Sequence, residues 1–322
     1  MEHEQWKWQK PGTPWKGAGL YHVTLTIPSR ENLLGQLVIP DDDPKKARVD
    51  ILPLGRDLLE CQRKISVYHP EIQVLHYCLM PDHLHAVWYV KQVMPKGIMT
   101  AVRGFWQGAK KVGRGLSFIT SNSIRQNYQE GIFTEMPFVR AMGQRKQLPV
   151  TIRYLDMNPQ RLATKKLKPG FFCVQEGIEI GGRMYCGVGN AAMLQAAHYA
   201  PVHVRRVMVE AAEHGEPQTL RDYMNGCVIA ARNGAVMVSP FVSPNEKRIM
   251  EVLLFEKLPF IYLADNGFRD YYKPTDVLFD GVAEGRVLIL SPWEYDAEKR
   301  HISRADCVAL NGMAEEICRY IS

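Results

Sequence analysis

The sequence lacks the cysteine spacings that mark a cysteine-rich metal site. Its 322 residues hold seven scattered cysteines, and no two of them form a CxxC pair. An odd, dispersed set predicts reduced thiols that serve as small core residues, and it argues against both a disulfide framework and a zinc-thiolate site.

Long apolar runs are also missing. No uninterrupted apolar stretch reaches about 18 residues, so no membrane span is expected. The opening MEHEQWKWQKPGTPWKG has no apolar segment after its charges, which argues against a secretory signal. Hydrophobic residues make up 46% and charged residues 23%, the balance of a globular protein with real cores. We therefore expect a cytoplasmic protein with one large domain or two of ordinary size.

Acidic residues are scarce in one part of the chain. Residues 91–170 contain 15 Lys and Arg but only 3 Asp and Glu. Residues 1–180 carry a net charge of +9 and residues 181–322 a net charge of −3, within an overall +6. This asymmetry suggests that the first half meets a polyanion, although a solvated basic face would give the same count.

The first half alternates strand and helix patterns. Period-two alternation of apolar residues predicts strands, and the 3.6-residue period predicts helices. The predicted strands cover 17–30, 35–40 and 71–90, the last being two strands joined at Met80-Pro81-Asp82. Residues 48–65 begin like a strand and continue with a helical pattern, and further helices are predicted at 96–113 and 148–167. This order fits an α+β sandwich of one sheet with helices on one face.

From about residue 183 the sequence pattern changes to a regular alternation of apolar strands and helices. Ser243 and Glu246 have the spacing of a capping box in front of one of these helices. The alternation predicts a parallel α/β domain of the doubly wound, Rossmann-like type over 183–322. The GxGxxG fingerprint of dinucleotide-binding loops is absent, and an accessory domain without chemistry is the plainer expectation.

The stretch LMPDHLHAVWYV (79–90) places two histidines in an otherwise apolar strand. Side chains two apart lie on the same side of a strand, so His83 and His85 are expected together while Leu84 faces the core. Two neutral imidazoles side by side are half of a divalent-metal site. Taken alone, the pattern is more often two unrelated histidines on a wet strand face.

The predicted helix at 148–167 could supply a nucleophile and a third ligand. Tyr154 and Asn158 are four residues apart and share a helical face. A phenol near a bound cation is a usable nucleophile towards a phosphate held by the same metal, and an amide oxygen is a hard ligand. A core tyrosine and an Asn158 cap before Pro159 remain the alternative.

Two of these segments together resemble a known family. LMPDHLHAVW is very similar to the signature of REP-associated tyrosine transposases, bacterial relatives of the HUH class of single-strand transposases. YLDMNPQR is similar to the second signature of that family, a tyrosine followed by Asn-Pro. The motifs occur in the right order, about 70 residues apart, and the resemblance covers about residues 17–170.

The resemblance implies an α+β ferredoxin-like HUH nuclease domain over residues 1–180, followed by the α/β Rossmann-like domain. His83 and His85 would ligate Mg²⁺ or Mn²⁺ with Asn158 as the third ligand. Tyr154 would cleave single-stranded or hairpin (REP-like) DNA, forming a 5′-phosphotyrosine, and would rejoin it by the reverse reaction. The sequence does not decide whether the protein forms a homodimer.

Seven residues are the candidate DNA contacts, because cations combined with stackable rings suit a single-strand binder. They are Arg103, Trp106, Lys110, Lys111, Arg114, Arg153 and Arg161. Further cations extend the same basic belt, namely Arg140, Arg145, Lys146, Lys165 and Lys166.

Two other functions remain open at this stage. One is a non-catalytic protein that binds hairpin or single-stranded DNA on the same scaffold, although binding alone requires neither the histidines nor the tyrosine. The other is a zinc hydrolase built on His83 and His85. That function needs further ligands, and the isolated His22, His69 and His76 form no matching motif.

Overall fold

The structure is a computed structural model, and it describes residues 18–116, 132–134, 136–143, 146–215, 219–269 and 272–321. The side chains of residues 114–116 are outside this description. The chain divides into two compact units, Met1–Ala163 and Thr164–Ser322. The sequence places the end of the first domain later, at residue 180.

The first unit is built on an antiparallel sheet. Its strands are β1 (Gly19–Thr26), β2 (Gly35–Val38), β3 (Arg48–Ile51), β4 (Ile72–Leu79), β5 (His83–Val90) and β6 (Phe138–Met142). Four of them form a sheet in the order β4-β5-β1-β6, with every neighbouring pair antiparallel. The other two, β2 and β3, pair with each other. The strands predicted at 71–90 are confirmed as β4 and β5.

Helices cover both faces of this sheet. They are α1 (Pro53–Arg63), α2 (Ile65–Tyr68), α3 (Ile98–Leu116), α4 (Gln147–Asp156) and α5 (Asn158–Leu167). The main core packs α1 and α3 against the face of β5 that carries Leu84 and Trp88. The opposite face carries Val87, which packs with Leu155 of α4. The prediction of helices on one face only was therefore wrong, because Val87 of β5 and Met142 of β6 form a small apolar cluster that α4 covers.

The predicted helix at 148–167 is two helices in almost direct continuation. Met157 separates them and keeps right-handed helical backbone angles, with its amide donating to Arg153 O at 3.0 Å. Pro159 lies in the first turn of α5, where a proline ring costs no hydrogen bond. Pro159 therefore begins a helix and does not end one.

The second unit is built on a six-stranded mixed sheet. Its strands are β7 (Gln175–Ile180), β8 (Arg183–Gly189), β9 (Tyr199–Pro201), β10 (Val236–Ser239), β11 (Phe260–Leu263) and β12 (Val287–Ser291). The order is β7-β8-β12-β11-β10-β9. The last four strands are parallel, and the β7-β8 hairpin adds antiparallel to β12.

Apolar side chains cover both faces of the parallel strands. The helices are α6 (Val204–His214), α7 (Leu220–Arg232), α8 (Pro244–Phe255), α9 (Asp276–Ala283) and α10 (Arg304–Tyr320). Residues of α6 to α9 belong to one core, and α10 packs on the other face. Because β9 to β12 follow one another in sequence order, the strand order never reverses. The sheet is therefore not doubly wound as predicted, although the parallel α/β arrangement is confirmed.

Helix α8 begins as its sequence predicts. The Ser243 hydroxyl accepts from the Glu246 amide, and the Glu246 carboxylate accepts from the Ser243 amide, which completes the capping box. Within the described ranges, no helix has both the length and the apolar content that crossing a bilayer requires.

Candidate active site

The face of β5 that points towards α4 carries both histidines of the HLH motif. On the neighbouring strand β1, Thr26 lies opposite His83 and Thr24 lies opposite His85. The two imidazole rings of His83 and His85 are 4.7 Å apart between centroids and meet edge to face. The sequence prediction that they lie side by side is confirmed in this geometry.

His83 is oriented by the residue that precedes it. Its Nδ1 donates to the Asp82 carboxylate at 2.6 Å, and Arg30 donates to the other oxygen of that carboxylate at 3.1 Å. Burial alone would raise the pKa of Asp82, but the hydrogen bonds and charges of His83 and Arg30 outweigh it and hold that pKa below its usual value. Asp82 therefore acts as a carboxylate, and His83 carries a proton on Nδ1.

The turn that presents His83 is fixed by backbone hydrogen bonds. Pro81 O accepts from the Leu34 amide and Asp82 O from the Ile27 amide, both at 2.9 Å. The Met80 amide donates to His83 O at 2.8 Å. The ring of His83 is thus placed by a turn that is tied to the loop after β1.

His85 is 9% exposed and is oriented from strand β1. Its Nδ1 lies 2.9 Å from the Thr24 hydroxyl and 3.1 Å from His22 Nε2. Burial lowers the pKa of His22, and the positive charge of Arg140 lowers it further. His22 is therefore biased towards its neutral form beside His85.

Helix α4 brings Tyr154 to the same face of the sheet. The Tyr154 ring lies 6.0 Å from the His85 ring between centroids, and Tyr154 packs on the small cluster around Val87 and Leu155. Arg161, on the next helix, has its guanidinium 5.9 Å from the centre of the Tyr154 ring. Two motifs far apart in sequence therefore meet.

Asn158 is placed one helical turn after Tyr154. It is 6% exposed, and its Nδ2 atom has no hydrogen-bond partner among the described residues. A buried amide without a partner costs about 1–3 kcal/mol, so its persistence needs a reason. The oxygen and nitrogen of such an amide exchange places by rotation about one bond, so either atom can be turned to a ligand.

The helix α4 is tied to the edge strand as well. His76 Nε2 on β4 lies 2.8 Å from Asp156 Oδ1 near the end of α4. Asp156 lies two residues after Tyr154, so this hydrogen bond restrains the part of the helix that carries the phenol.

No group of three or more His, Cys, Asp and Glu side chains is arranged to hold a metal in the portion of the chain that is described. His22 contacts His85 from its Nε2 to the His85 Nδ1, the atom that also contacts Thr24. His76 is hydrogen-bonded to Asp156. This arrangement does not supply the additional ligands that a zinc hydrolase on His83 and His85 would need.

The residues predicted on helix α3 are not at this site. Because α3 packs on the Leu84 and Trp88 face, its cations Arg103 and Lys111 lie on the other side of the sheet from Tyr154. Trp106 donates from Nε1 to Thr134 O at 2.9 Å, and Lys110 Nζ lies 4.4 Å from its ring centre. Trp106 is thus held as a half-buried packing residue with one ring face covered.

Other predicted cations do accompany the histidines. Arg140 on β6 lies opposite His22 in the sheet and is exposed, Arg153 is exposed on α4, and Arg161 contacts the Tyr154 ring. The side chain of Arg114 and all of Arg145 lie outside the described residues.

Sequence reasoning missed three residues of the site, namely His22, Thr24 and Asp82. The signal for Asp82 was its position directly before His83 in the motif. His22 and Thr24 alternate on β1 and could be placed on the outward face, but which strand they would meet depends on a pairing register that the sequence does not specify.

No protein-family model matches this chain. Over 73 residues, 23% of this chain and 37% of the relative, it is 22% identical to a Haemophilus influenzae protein described as uncharacterized. The matched part thus spans well under half of that curated relative.

Two solved structures were found as neighbours. One is a REP-associated tyrosine transposase bound to a REP hairpin, with a TM-score of 0.32 and 12% identity, covering 47% of this chain and 72% of that one. The other is a putative transposase from Deinococcus radiodurans, with a TM-score of 0.28 and 14% identity, covering 47% and 98%. TM-scores this low do not establish a common fold.

Proposed function

We propose that the first unit is a metal-dependent single-strand DNA nuclease and transposase that acts through Tyr154. The observation that carries this proposal is the approach of the Tyr154 ring to His85, 6.0 Å between centroids, beside the paired ring of His83. A structural role for these residues would not require a phenol and two oriented imidazoles on one face of the sheet.

The residues present fit a divalent cation. His83 has its Nδ1 committed to Asp82, and a Thr24 hydroxyl that accepts from His85 Nδ1 commits the second ring in the same way. Metal-bound histidines are commonly oriented through their other ring nitrogen, so Nε2 would be the ligand atom of each. The buried amide of Asn158, with Nδ2 unpaired, would turn its oxygen to the ion. We propose Mg²⁺ or Mn²⁺ on these three residues.

The chemistry proposed for Tyr154 is nucleophilic displacement at phosphorus. The phenol loses its proton and its oxygen bonds to the phosphorus of a DNA phosphodiester. The bond from phosphorus to the 3′ oxygen breaks, and that oxygen leaves with a proton as a 3′-hydroxyl. The product is a 5′-phosphotyrosine, and attack by a 3′-hydroxyl rejoins the strand in reverse. A bound cation would stabilise the charge that develops on the phosphate oxygens.

The cations on this face support a nucleic-acid substrate. Arg140, Arg153 and Arg161 lie on the side of the sheet that carries His83 and Tyr154, where a phosphodiester would have to bind. Phosphate contacts position a strand without reading its sequence. The residues of α3 lie on the opposite face of the sheet. They either have a structural role or contact a part of the DNA that is distant from the cleavage site.

The topology also agrees with the proposal. When the four strands of the first sheet are numbered in chain order, their order across the sheet is second, third, first, fourth, and all neighbours are antiparallel. In the chain, α1 and α2 lie between the first and second of these strands, and α3 lies between the third and fourth. This order is compatible with the split β-α-β fold of the ferredoxin-like type and supports the proposal.

The first test is metal-dependent cleavage by a His83→Ala variant. With labelled single-stranded hairpin DNA and Mn²⁺, we expect wild type to cut and His83→Ala to lose the cleavage, because one of two imidazole ligands is gone. His69→Ala is the matched control and should cut normally. Cleavage by His83→Ala with an unchanged Mn²⁺ dependence would refute the metal role. Tight binding by wild type without cleavage across a broad hairpin library would favour a non-catalytic DNA-binding protein.

A further inference from the structure

The second unit contains a cleft at the carboxyl end of its parallel strands that the proposed nuclease chemistry does not use. It has a volume of about 570 Å³, within the roughly 300–1,000 Å³ typical of small-ligand sites. It lies beside the loops that follow β11 and β12, adjacent parallel strands. In open α/β sheets ligands bind outside this end of the strands. Although the strand order does not reverse here, these two loops create the opening.

The two loops are clamped together. Asn266 donates from Nδ2 to Asp296 O at 2.8 Å, and its Oδ1 accepts from the Asp296 amide at 2.9 Å. A Cβ atom on Gly267 would lie 2.3 Å from the Tyr295 amide nitrogen, so glycine is required for this close approach. Lys299 adds a third tie by donating to Asp265 O. The walls of the cleft are therefore held before any ligand arrives, which lowers the entropic cost of binding.

The lining is rich in aromatic rings. Tyr262, Phe268, Tyr272 and Tyr295 all line the cleft. Tyr295 is 47% exposed, and Phe268 meets Tyr272 edge to face at 4.7 Å between centroids. Flat faces of this kind stack on planar rings, with about 1–3 kcal/mol per stacked base in nucleic-acid binding.

Opposite charges stand within reach of these rings. Asp265 and Arg269 line the same cleft. Burial raises the pKa of Tyr272 to about 12, with Tyr262 and Asp265 adding to the rise and Arg269 opposing it, so these groups act on one another electrostatically. Arg269 is exposed, and its guanidinium suits a phosphate because it donates two parallel hydrogen bonds. Asp265 can accept from a sugar hydroxyl or from an exocyclic amine.

A planar ring, a hydroxyl or amine donor and an anionic group are combined in nucleotides. We propose that this cleft binds a nucleoside phosphate, with the base stacked on the tyrosines, Asp265 on a donor of the sugar or base, and Arg269 on the phosphate. The ligand is either a free nucleotide or one nucleotide of a DNA strand. The second unit would then be a binding domain in its own right and not a passive accessory.

The test is calorimetric titration of the full chain with AMP, with adenosine and with a single-stranded pentanucleotide of deoxyadenosine. We expect AMP to bind and adenosine to bind more weakly. Arg269→Ala should raise the Kd for AMP about tenfold or more, as expected for loss of a charge-assisted hydrogen bond. Tyr295→Ala should weaken AMP and adenosine alike, because it removes a stacking face. Both residues are exposed, so neither change threatens the fold.

Matched controls are Arg205→Ala and Tyr68→Ala, exposed residues away from this cleft, which should bind like wild type. Tighter binding of AMP than of the pentanucleotide identifies a free nucleotide, and the reverse order with the same loss in Arg269→Ala identifies a strand. Three results would overturn the proposal. The first is that neither AMP nor the pentanucleotide binds. The second is that adenosine binds as tightly as AMP. The third is that Arg269→Ala and Tyr295→Ala both bind AMP and the pentanucleotide like wild type.

Discussion

At the scale of single residues, the site depends on the hydrogen-bond partners of the two histidines. Asp82 contacts Nδ1 of His83, and Thr24 contacts Nδ1 of His85, so the same nitrogen of each ring has a partner within the protein. Neither partner would touch a substrate. Under the proposed metal role, these partners would orient the two rings and so influence how tightly the metal is held.

Replacing Thr24 by valine tests this arrangement. Valine keeps the β-branched shape that suits strand β1 but removes the hydroxyl that contacts His85. We expect Mn²⁺ affinity, measured by titration calorimetry, to fall about 10- to 100-fold, the usual effect of losing an outer partner of a metal-bound histidine. Thr100→Val on the opposite face of the sheet is the control. Unchanged affinity in Thr24→Val would mean that Thr24 does not orient a ligand.

The residues of the site differ in how readable they were from the sequence. His83, His85, Tyr154 and Asn158 stood in two recognisable motifs. The structure brings the rings of His83 and Tyr154 each to the ring of His85, at 4.7 and 6.0 Å between centroids. His22 and Thr24 were not predicted as site residues, because their role exists only after β1 pairs with β5 in a particular register. A side chain that acts through a neighbouring strand leaves no local pattern.

At the scale of elements, the predictions followed the strength of the local periodicity. The paired strands β4 and β5, the helix α3 and the capped start of α8 were all expected from the sequence. The division at Met157 was not, because the apolar spacing continues through it. The side of the sheet on which each helix packs depends on tertiary contacts, and the small cluster of Val87, Met142 and Leu155 that α4 covers is assembled from three separate elements.

An ion-pair cluster that joins elements of the second unit gives a prediction with a defined pH dependence. Glu284, at the end of α9, accepts from Arg286 at 2.5 Å and from Lys257 at 3.3 Å. The Arg286 hydrogen bond lowers the pKa of Glu284 below its usual value of 4.5, and burial opposes this only in part. A carboxylate whose pKa is lowered in the folded state stabilises the fold above the unfolded pKa and loses that contribution as pH falls through the folded pKa.

We therefore expect Glu284→Gln to lower the free energy of unfolding by about 1 kcal/mol or less at pH 7, since the carboxylate is part exposed. Urea denaturation measures it. The difference from wild type should shrink as pH is lowered well below 4.5, to the lowest pH at which wild type remains folded. Glu298→Gln, a change at a carboxylate that is 91% exposed, is the control. A loss of the same size in acid would show that charge is not the cause.

At the scale of the whole molecule, the chain combines two units with different charge and different architecture. The basic first half forms the antiparallel unit with the histidine and tyrosine site, and the mildly acidic second half forms the parallel α/β unit with the aromatic cleft. The change from the first pattern of strands and helices to the second, near residue 183, was visible in the sequence. The precise division was not, because residues 164–182 contain β7 and the end of a helix, whose membership depends on which sheet they join.

We expect the two units to perform separate functions. Strand cleavage depends on Tyr154 and the paired histidines in the first, and nucleotide recognition depends on Arg269 and Tyr295 in the second. Because the two sets of residues belong to separate sheets, loss of one activity should leave the other measurable in the full-length protein.

A covalent link between protein and DNA is the most direct evidence for cleavage through Tyr154. Full-length protein is incubated with labelled single-stranded hairpin DNA and Mn²⁺, resolved on a denaturing gel, and compared with Tyr154→Phe, which removes only the phenolic oxygen. We expect a metal-dependent, slowly migrating protein–DNA adduct in which mass spectrometry places the DNA on Tyr154. The adduct should be missing from Tyr154→Phe, which should still bind DNA. Cleavage by Tyr154→Phe at the wild-type rate, or an adduct on another residue, would contradict this role of Tyr154.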